Sequence, residues 1–331
     1  MKKPSRIPSG FAYQHECILL LVLVALLLCA GLVAPAFIDL KTQAQLSSHI
    51  WELAMCALPM TFIIITGGID LSIGSIMALS AVIMGLSYLA GIPVCGAAAL
   101  AVIAGLAAGS LNGLFVAFLR VHPLLVTLAT LAAFRGIAEG VSLCRPISGF
   151  PEAFTRLATA TIVRVPCAGI LFAFCAAVAA IVVSRSPLGR SLYAIGHNET
   201  GSIFSGIRVR PIKFWLYSFS GLIAGLMAVF HVSLRNTAKA DMAAGMELDV
   251  ITAVVLGGTS IFGGKGSVVG TILGVLLIHE TREFVSWQWN RNELNLVVIG
   301  AMLVVSVLLN RIVPDKKKRS HARTVFSNIH H

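Results

Sequence analysis

Charge is scarce in this chain. Only 12% of its 331 residues are Asp, Glu, Lys or Arg, while 57% are hydrophobic. Soluble domains average about 25% charged residues, so this composition cannot cover a water-facing surface of ordinary extent. The formal net charge of +11 does not mark a nucleic-acid face. The basic residues lie between and beyond apolar runs rather than on one soluble side, so no nucleic-acid partner is expected. Short catalytic signatures are missing too: there is no HExxH, no GxSxG and no Cys/His set with metal-ligand spacing. Neither catalysis nor a bound metal is expected. The stretch GGTSIFGGKGS looks like a phosphate loop, but Lys265 is followed by Gly266 where Ser or Thr is required, and no strand precedes it. The seven cysteines include no CxxC. Cys17, Cys29, Cys56, Cys95 and Cys175 lie in or beside apolar runs, where a thiol acts as a small hydrophobe. Cys144 and Cys167 flank a polar loop and would pair only in an oxidising compartment.

What the chain does have is long apolar runs. Membrane-crossing helices need about 20 apolar residues each. Candidate spans are 17–37, 48–66, 71–90, 93–119, 124–141, 166–184, 213–233, 248–262, 266–285 and 294–311. The fold class is therefore an all-α polytopic membrane protein of about ten spans, and continuous apolar runs exclude a β-barrel. An even count puts both termini on one side. Lys and Arg are about twice as frequent in the segments this places inside, so both termini are expected in the cytoplasm. Residues 1–16 form a cytoplasmic N-terminus and 17–311 one transmembrane domain with a cytoplasmic loop at 185–212. Residues 312–331 form a basic tail, whose Lys316, Lys317, Lys318 and Arg319 would touch anionic membrane lipid. The first run reads as an uncleaved membrane helix, being longer than a signal-peptide core.

The organising stretch is Leu248 to Ile278. It is apolar at both ends and broken by Gly257, Gly258, Gly263 and Gly264. Irregular backbone survives at membrane depth only where protein or a water-filled cavity covers it, so this stretch belongs inside the bundle. A second glycine-broken segment lies near 67–75, where Gly67 and Gly68 follow another apolar run. Asp70, in ITGGIDLSIGS, reads either as an N-cap or as an ion-coupling carboxylate. Arg135 and Glu139 are four apart on one helix face and can pair. Pro59 marks a kink or break in the second span. The longest polar segment between spans is Ser184 to Pro211. Asn198 is placed to cap a short helix from Glu199 to Ile207, which is either a surface helix or a docking helix.

Four patches resemble the permease subunits of ribose-type ABC importers, a family that handles monosaccharides and autoinducer-2. They are ITGGIDLSIGSIMALSA at 65–81, LNGLFVAFLRVHPLLVTLATLAAFRG at 111–136, GRSLYAIGHNETGSIFSGIRV at 189–209 and GMELDVITAVVLGGTSIFGGKGSVVGTILGVLL at 245–277. The resemblance implies a permease of the bacterial inner membrane that pairs with a second permease, as homodimer or heterodimer. It implies two cytoplasmic ATP-binding subunits and a periplasmic or extracellular substrate-binding protein. ATP would be bound and hydrolysed by the partner, leaving this chain without a cofactor and without enzyme activity of its own. Gly196, Asn198, Glu199, Ser205, Gly206 and Ile207 would form the segment that couples to the ATPase. Gly67, Gly68, Asp70, Ser72, Asn112 and Thr127 are assigned to the substrate pathway. The chain departs from the family pattern at His197, Gly201, Ser202 and Ile203 in the coupling segment, and at Leu124 and Ala129 after Pro123. Such changes would suit one member of an unequal permease pair. The alternative is an ion-coupled secondary transporter acting alone, with Asp70 as its carrier. A third reading is a channel-like or structural membrane subunit with no energised transport.

Overall fold

The computed structural model describes residues 14–162, 165–289 and 292–312. The basic N-terminal residues before 14 and the tail beyond 312 lie outside them. With no water in the hydrocarbon core, each backbone amide must find its partner within the chain, and helices do this segment by segment. A helix stands at each of the ten expected places: α1 (Gln14–Val33), α3 (Ile50–Ile65), α4 (Ile73–Leu89), α5 (Val94–Ala117), α6 (Pro123–Ser142), α8 (Cys167–Arg185), α11 (Val209–Arg235), α12 (Met246–Leu256), α13 (Val268–Trp289) and α14 (Asn292–Ile312). Among the described residues, only five helices are long and apolar enough to cross a membrane, or six if a bent pair is one span. The reasons differ by helix. α12 has 11 residues, which reach about 16 Å at about 1.5 Å per residue, roughly half the hydrocarbon thickness. α13 has 22 residues, but His279, Glu280, Arg282 and Glu283 interrupt its apolar run. Among shorter elements are α2 (Leu40–Leu46), α7 (Glu152–Thr159), α9 (Pro187–His197) and α10 (Glu199–Phe204).

The fold is not purely helical. Outside the bundle, β1 (Ile147–Ser148) pairs antiparallel with β4 (Thr237–Ala238), and β2 (Thr161–Ile162) with β3 (Val165–Pro166). Ser233 on α11 holds the α7 region in place: its hydroxyl donates to the Phe154 carbonyl at 2.7 Å and accepts the Ala158 amide at 3.1 Å. The α7 part of the loop at 142–162 is thus folded against α11 and not slack chain.

α3 is the most enclosed helix, buried on nearly all sides between α8, α11, α12 and α13. It runs unbroken through Pro59, so of the kink or break expected at that proline the break is absent. The tightest seam joins α5 to α11. Gly105, Gly109 and Gly113 recur every fourth residue on α5 and face Phe214, Gly221 and Gly225 on α11. A Cβ at Gly109 would lie 2.8 Å from the Gly221 Cα, and one at Gly105 would lie 2.8 Å from the Gly225 Cα. Small residues at this spacing let backbones touch, which drives helix association in lipid where apolar burial cannot. Ser110 donates to Ser218 across the same seam at 2.9 Å.

The two double-glycine breaks are built alike. After α3, Gly67 donates to the Ile64 carbonyl at 2.9 Å and Gly68 to the Ile63 carbonyl at 3.0 Å. After α12, Gly258 donates to the Val255 carbonyl at 2.9 Å and Thr259 to the Val254 carbonyl at 3.2 Å. Gly67 and Gly258 have φ of 79° and 90°. Both ends are Schellman caps, in which a left-handed residue closes the helix and satisfies its last carbonyls. The echo in the sequence is one cap geometry used twice.

Candidate functional site

The first break opens onto a buried polar cluster. Asp70 has no exposed surface. Its Oδ1 accepts the Ser72 amide at 3.0 Å and the Ser72 hydroxyl at 2.6 Å, and its Oδ2 accepts the Ser220 hydroxyl at 2.8 Å. Asn112 Nδ2 donates to Ser72 Oγ at 2.7 Å. The Ile69 carbonyl, beside them, faces the Thr127 and Tyr217 hydroxyls, each at 3.3 Å. The cluster therefore ties the turn between α3 and α4 to α5, α6 and α11. Five of the six residues assigned to the pathway are buried here: Gly68, Asp70, Ser72, Asn112 and Thr127. Gly67 is exposed. Gly68 is needed for space, since a Cβ there would come within 2.7 Å of the Tyr217 hydroxyl. Asp70 is not the N-cap of α4. That position belongs to Ser72, whose side chain makes no capping bond because it is committed to Asp70. Asn112 Oδ1 is buried without a partner.

The second part of the site lies on α9 and α10. Asn198 caps α10 as its sequence implied, its side chain accepting the Gly201 amide at 2.9 Å. The helix stops at Phe204, three residues short of the expected end. Gly206 (φ 82°) donates to the Ile203 carbonyl and Ile207 to the Ser202 carbonyl, both at 3.0 Å, which is again a Schellman cap. Ser205, Gly206 and Ile207 thus close the helix rather than extend it. Glu199 turns back on its own chain, paired with Lys213 at 2.6 Å. Two large apolar side chains face outward among the exposed polar ones: Phe204 is 87% exposed and Ile203 is 50% exposed. Single exposed apolar residues need no explanation, but two at the tip of a capped polar-loop helix make a compact knob.

α9 connects this knob to both breaks. The Gly264 amide donates to the Ile65 carbonyl at 2.9 Å, and Gly196 packs on both groups. The Tyr193 hydroxyl donates to the Gly266 carbonyl at 2.8 Å. At the start of α1, His15 Nε2 lies 3.0 Å from the Leu256 carbonyl. The start of α1, both glycine turns and the α9–α10 loop therefore share one end of the bundle. At the other end, Arg135 does not pair with Glu139. It donates instead to the Ala240 and Met242 carbonyls, at 2.5 and 2.8 Å. A further ion pair, Arg282 with Asp249, joins α13 to α12. All seven cysteines, Cys144 and Cys167 included, are free thiols. Among the described residues no group of His, Cys, Asp and Glu is arranged to hold a metal.

Sequence reasoning missed Tyr217, Ser220, Tyr193 and Phe204. The first two lie on α11, about 150 residues from Asp70, and no local spacing announces them. Phe204 stood in plain view inside the predicted helix, as its largest apolar side chain.

A groove of about 690 Å³ runs between α3, α8 and α11, lined almost wholly by apolar side chains such as Leu58, Phe62, Phe174, Trp215 and Phe219. Arg208 is the one charged residue among its lining residues. Residues 44–307 match the family described as "Branched-chain amino acid transport system / permease component". The chain belongs to this family. It is a polytopic permease, a transport component. It is similar to the autoinducer 2 import system permease protein LsrD of Photorhabdus temperata, with 32% identity over 305 residues, covering 90% of this chain and 92% of the relative. The protein of the same name from Escherichia coli (strain SMS-3-5 / SECEC) is 32% identical over 302 residues, covering 89% and 92%. No solved structure matches the permease.

Proposed function

We propose that this permease is one membrane subunit of an ATP-driven importer for a sugar-like small molecule of the autoinducer 2 kind. It forms the translocation pathway with a second permease and takes substrate from a periplasmic binding protein. Two cytoplasmic ATPase subunits drive it from the α9–α10 side. The ten helices then act as ten spans with both termini in the cytoplasm, α12 being a short one from which the chain turns back along α13 at the glycines. Similarity along nine-tenths of the chain to autoinducer 2 import permeases carries the reading. Two structural features support it. The Phe204 knob is an apolar docking point on a polar loop, and the pathway residues converge on one turn that this loop touches. Gly67, Gly68, Asp70, Ser72, Asn112 and Thr127 shape the inner end of the pathway, which opens between two subunits rather than within one.

The same geometry speaks against an ion-coupled carrier acting alone. Asp70 has three donors on it and no exposed surface, which suits a fixed pin better than a group that must load and release an ion.

The test is purification of the tagged permease from mild detergent, with assay of ATP hydrolysis in the purified material. A stoichiometric ATP-hydrolysing partner is expected, and Phe204→Asp should remove it while leaving the permease folded. A permease that purifies alone and accumulates substrate in vesicles on an ion gradient would overturn the proposal.

A further inference from the structure

The contact between the docking loop and the two glycine turns is made of backbone on backbone. A Cβ at Gly196 would collide with both the Ile65 carbonyl oxygen and the Gly264 amide nitrogen. A Cβ at Gly263, whose φ is 81°, would stand 2.9 Å from the Gly196 oxygen and 3.0 Å from the Gly67 nitrogen. Three segments far apart in sequence thus meet with no side chain between them. Two hydrogen bonds fasten the junction: Gly264 amide to Ile65 carbonyl at 2.9 Å, and Tyr193 hydroxyl to Gly266 carbonyl at 2.8 Å.

Side-chain contacts can slide by changing rotamer, whereas backbone seated on backbone at van der Waals distance has no such slack. A displacement of α9 must therefore carry the 65–67 and 263–266 turns with it, or break the junction outright. On one side the junction continues through Asn198 and its bond to the Gly201 amide into α10, with the exposed Phe204. On the other, five residues beyond Ile65, stands Asp70, bonded to Ser72 on α4 and Ser220 on α11.

We propose that α9, the 65–67 turn and the 263–266 turn move as one rigid body, with Gly196 and Tyr193 as the residues that transmit force from the docking knob to the buried cluster. This rests on the ATP-driven reading above. It assigns positioning roles to Gly196, Gly263 and Tyr193, and it makes the junction a part that stays closed through the transport cycle.

Two measurements test it, in the assembled complex reconstituted in vesicles with its binding protein. His197 and Lys265 are both exposed and flank the junction. In a background with the exposed cysteines Cys17, Cys29, Cys95 and Cys144 changed to alanine, His197→Cys with Lys265→Cys is bridged by a short bis-maleimide. A rigid body predicts that uptake after bridging stays within threefold of the unbridged complex. A greater loss, with subunits still assembled and each single-cysteine control unaffected by the reagent, would show that the junction must open, and would overturn the proposal. The second variant is Tyr193→Phe, which removes one hydroxyl and no volume to speak of. Substrate molecules moved per ATP hydrolysed should fall at least threefold while assembly is unchanged. An unaltered ratio would also overturn it. If no ATPase co-purifies with the unmodified permease, the parent reading fails first, before any cross-link is made.

Discussion

The Asp70 cluster makes a graded prediction. Replacing Asp70 by Ala strands three donors, the Ser72 amide, the Ser72 hydroxyl and the Ser220 hydroxyl. Interhelical hydrogen bonds in membrane proteins average about 0.6 kcal/mol, but a buried donor left with nothing costs about 1 kcal/mol or more. The alanine variant should therefore lose about 3 kcal/mol. Asp70→Asn is different for a geometric reason. Both Ser72 bonds fall on Oδ1, which an asparagine retains as its carbonyl oxygen. The Ser220 bond falls on Oδ2, where an asparagine amide can donate to the same hydroxyl. The cost should stay below about 1 kcal/mol, while Ser220→Ala should cost about that much. The assay is a thermal melt in detergent, read by loss of the folded size-exclusion peak. At about 2 °C per kcal/mol for a chain of this size, the midpoint should fall by about 6 °C for Asp70→Ala and about 2 °C for Ser220→Ala. Asp70→Asn should barely move it. Uptake by the asparagine variant should remain within a few fold of the unmodified permease. Equal damage from Asp70→Asn and Asp70→Ala would refute the bond-by-bond reasoning. A folded asparagine variant with no uptake would refute the pin and restore the carboxylate as a carrier.

Gly109→Leu should prevent the α5–α11 seam from closing, because even its Cβ would sit 2.8 Å from the Gly221 Cα; the folded peak should be lost, whereas Gly136→Ala, at an α6 glycine with open space around it, should melt normally. Arg135→Gln should shed most of the grip on the Ala240 and Met242 carbonyls, and faster limited proteolysis near residues 239–245 in outward-facing membranes would reveal it; unchanged cleavage would sink this. With both termini cytoplasmic, the exposed Cys144 should react with a membrane-impermeant maleimide added to intact cells, while the fully buried Cys56 should not react even after permeabilisation. Labelling of Cys144 only in broken cells would invert the topology.

Much of this was legible before any coordinates. Apolar runs placed ten helices, because a membrane leaves the backbone few alternatives. The glycine pairs marked both helix ends, since a left-handed residue is what a Schellman cap requires. Asn198 announced the start of α10 through a bond spanning three residues. What failed to show was anything decided across the bundle. Arg135 had an acid four residues away, yet two carbonyls from the 240–242 loop hold it, and nothing local names them. Asp70 had the look of a cap, but Ser220 and Ser72 recruit it into a cross-helix tie. The length of α12 was hidden for another reason. An apolar run does not reveal where a helix ends inside protein, and 11 residues proved to be helical before the glycines.

The α5–α11 seam has a consequence for how this sequence can change over time. Every single-base change that replaces a glycine adds a side chain. At Gly105, Gly109, Gly113 and Gly221, each such codon change pushes an atom into opposing backbone. Those positions are trapped: no neighbouring codon offers a tolerable substitute, and no compensating change on the partner helix can make room, because the obstacle there is main chain. Outward-facing positions such as Phe174 and Ile181 are free to drift among apolar residues. The permease should therefore accumulate variation in rings around a fixed spine, and a saturation mutagenesis of α5 should return that pattern as a strict four-residue beat.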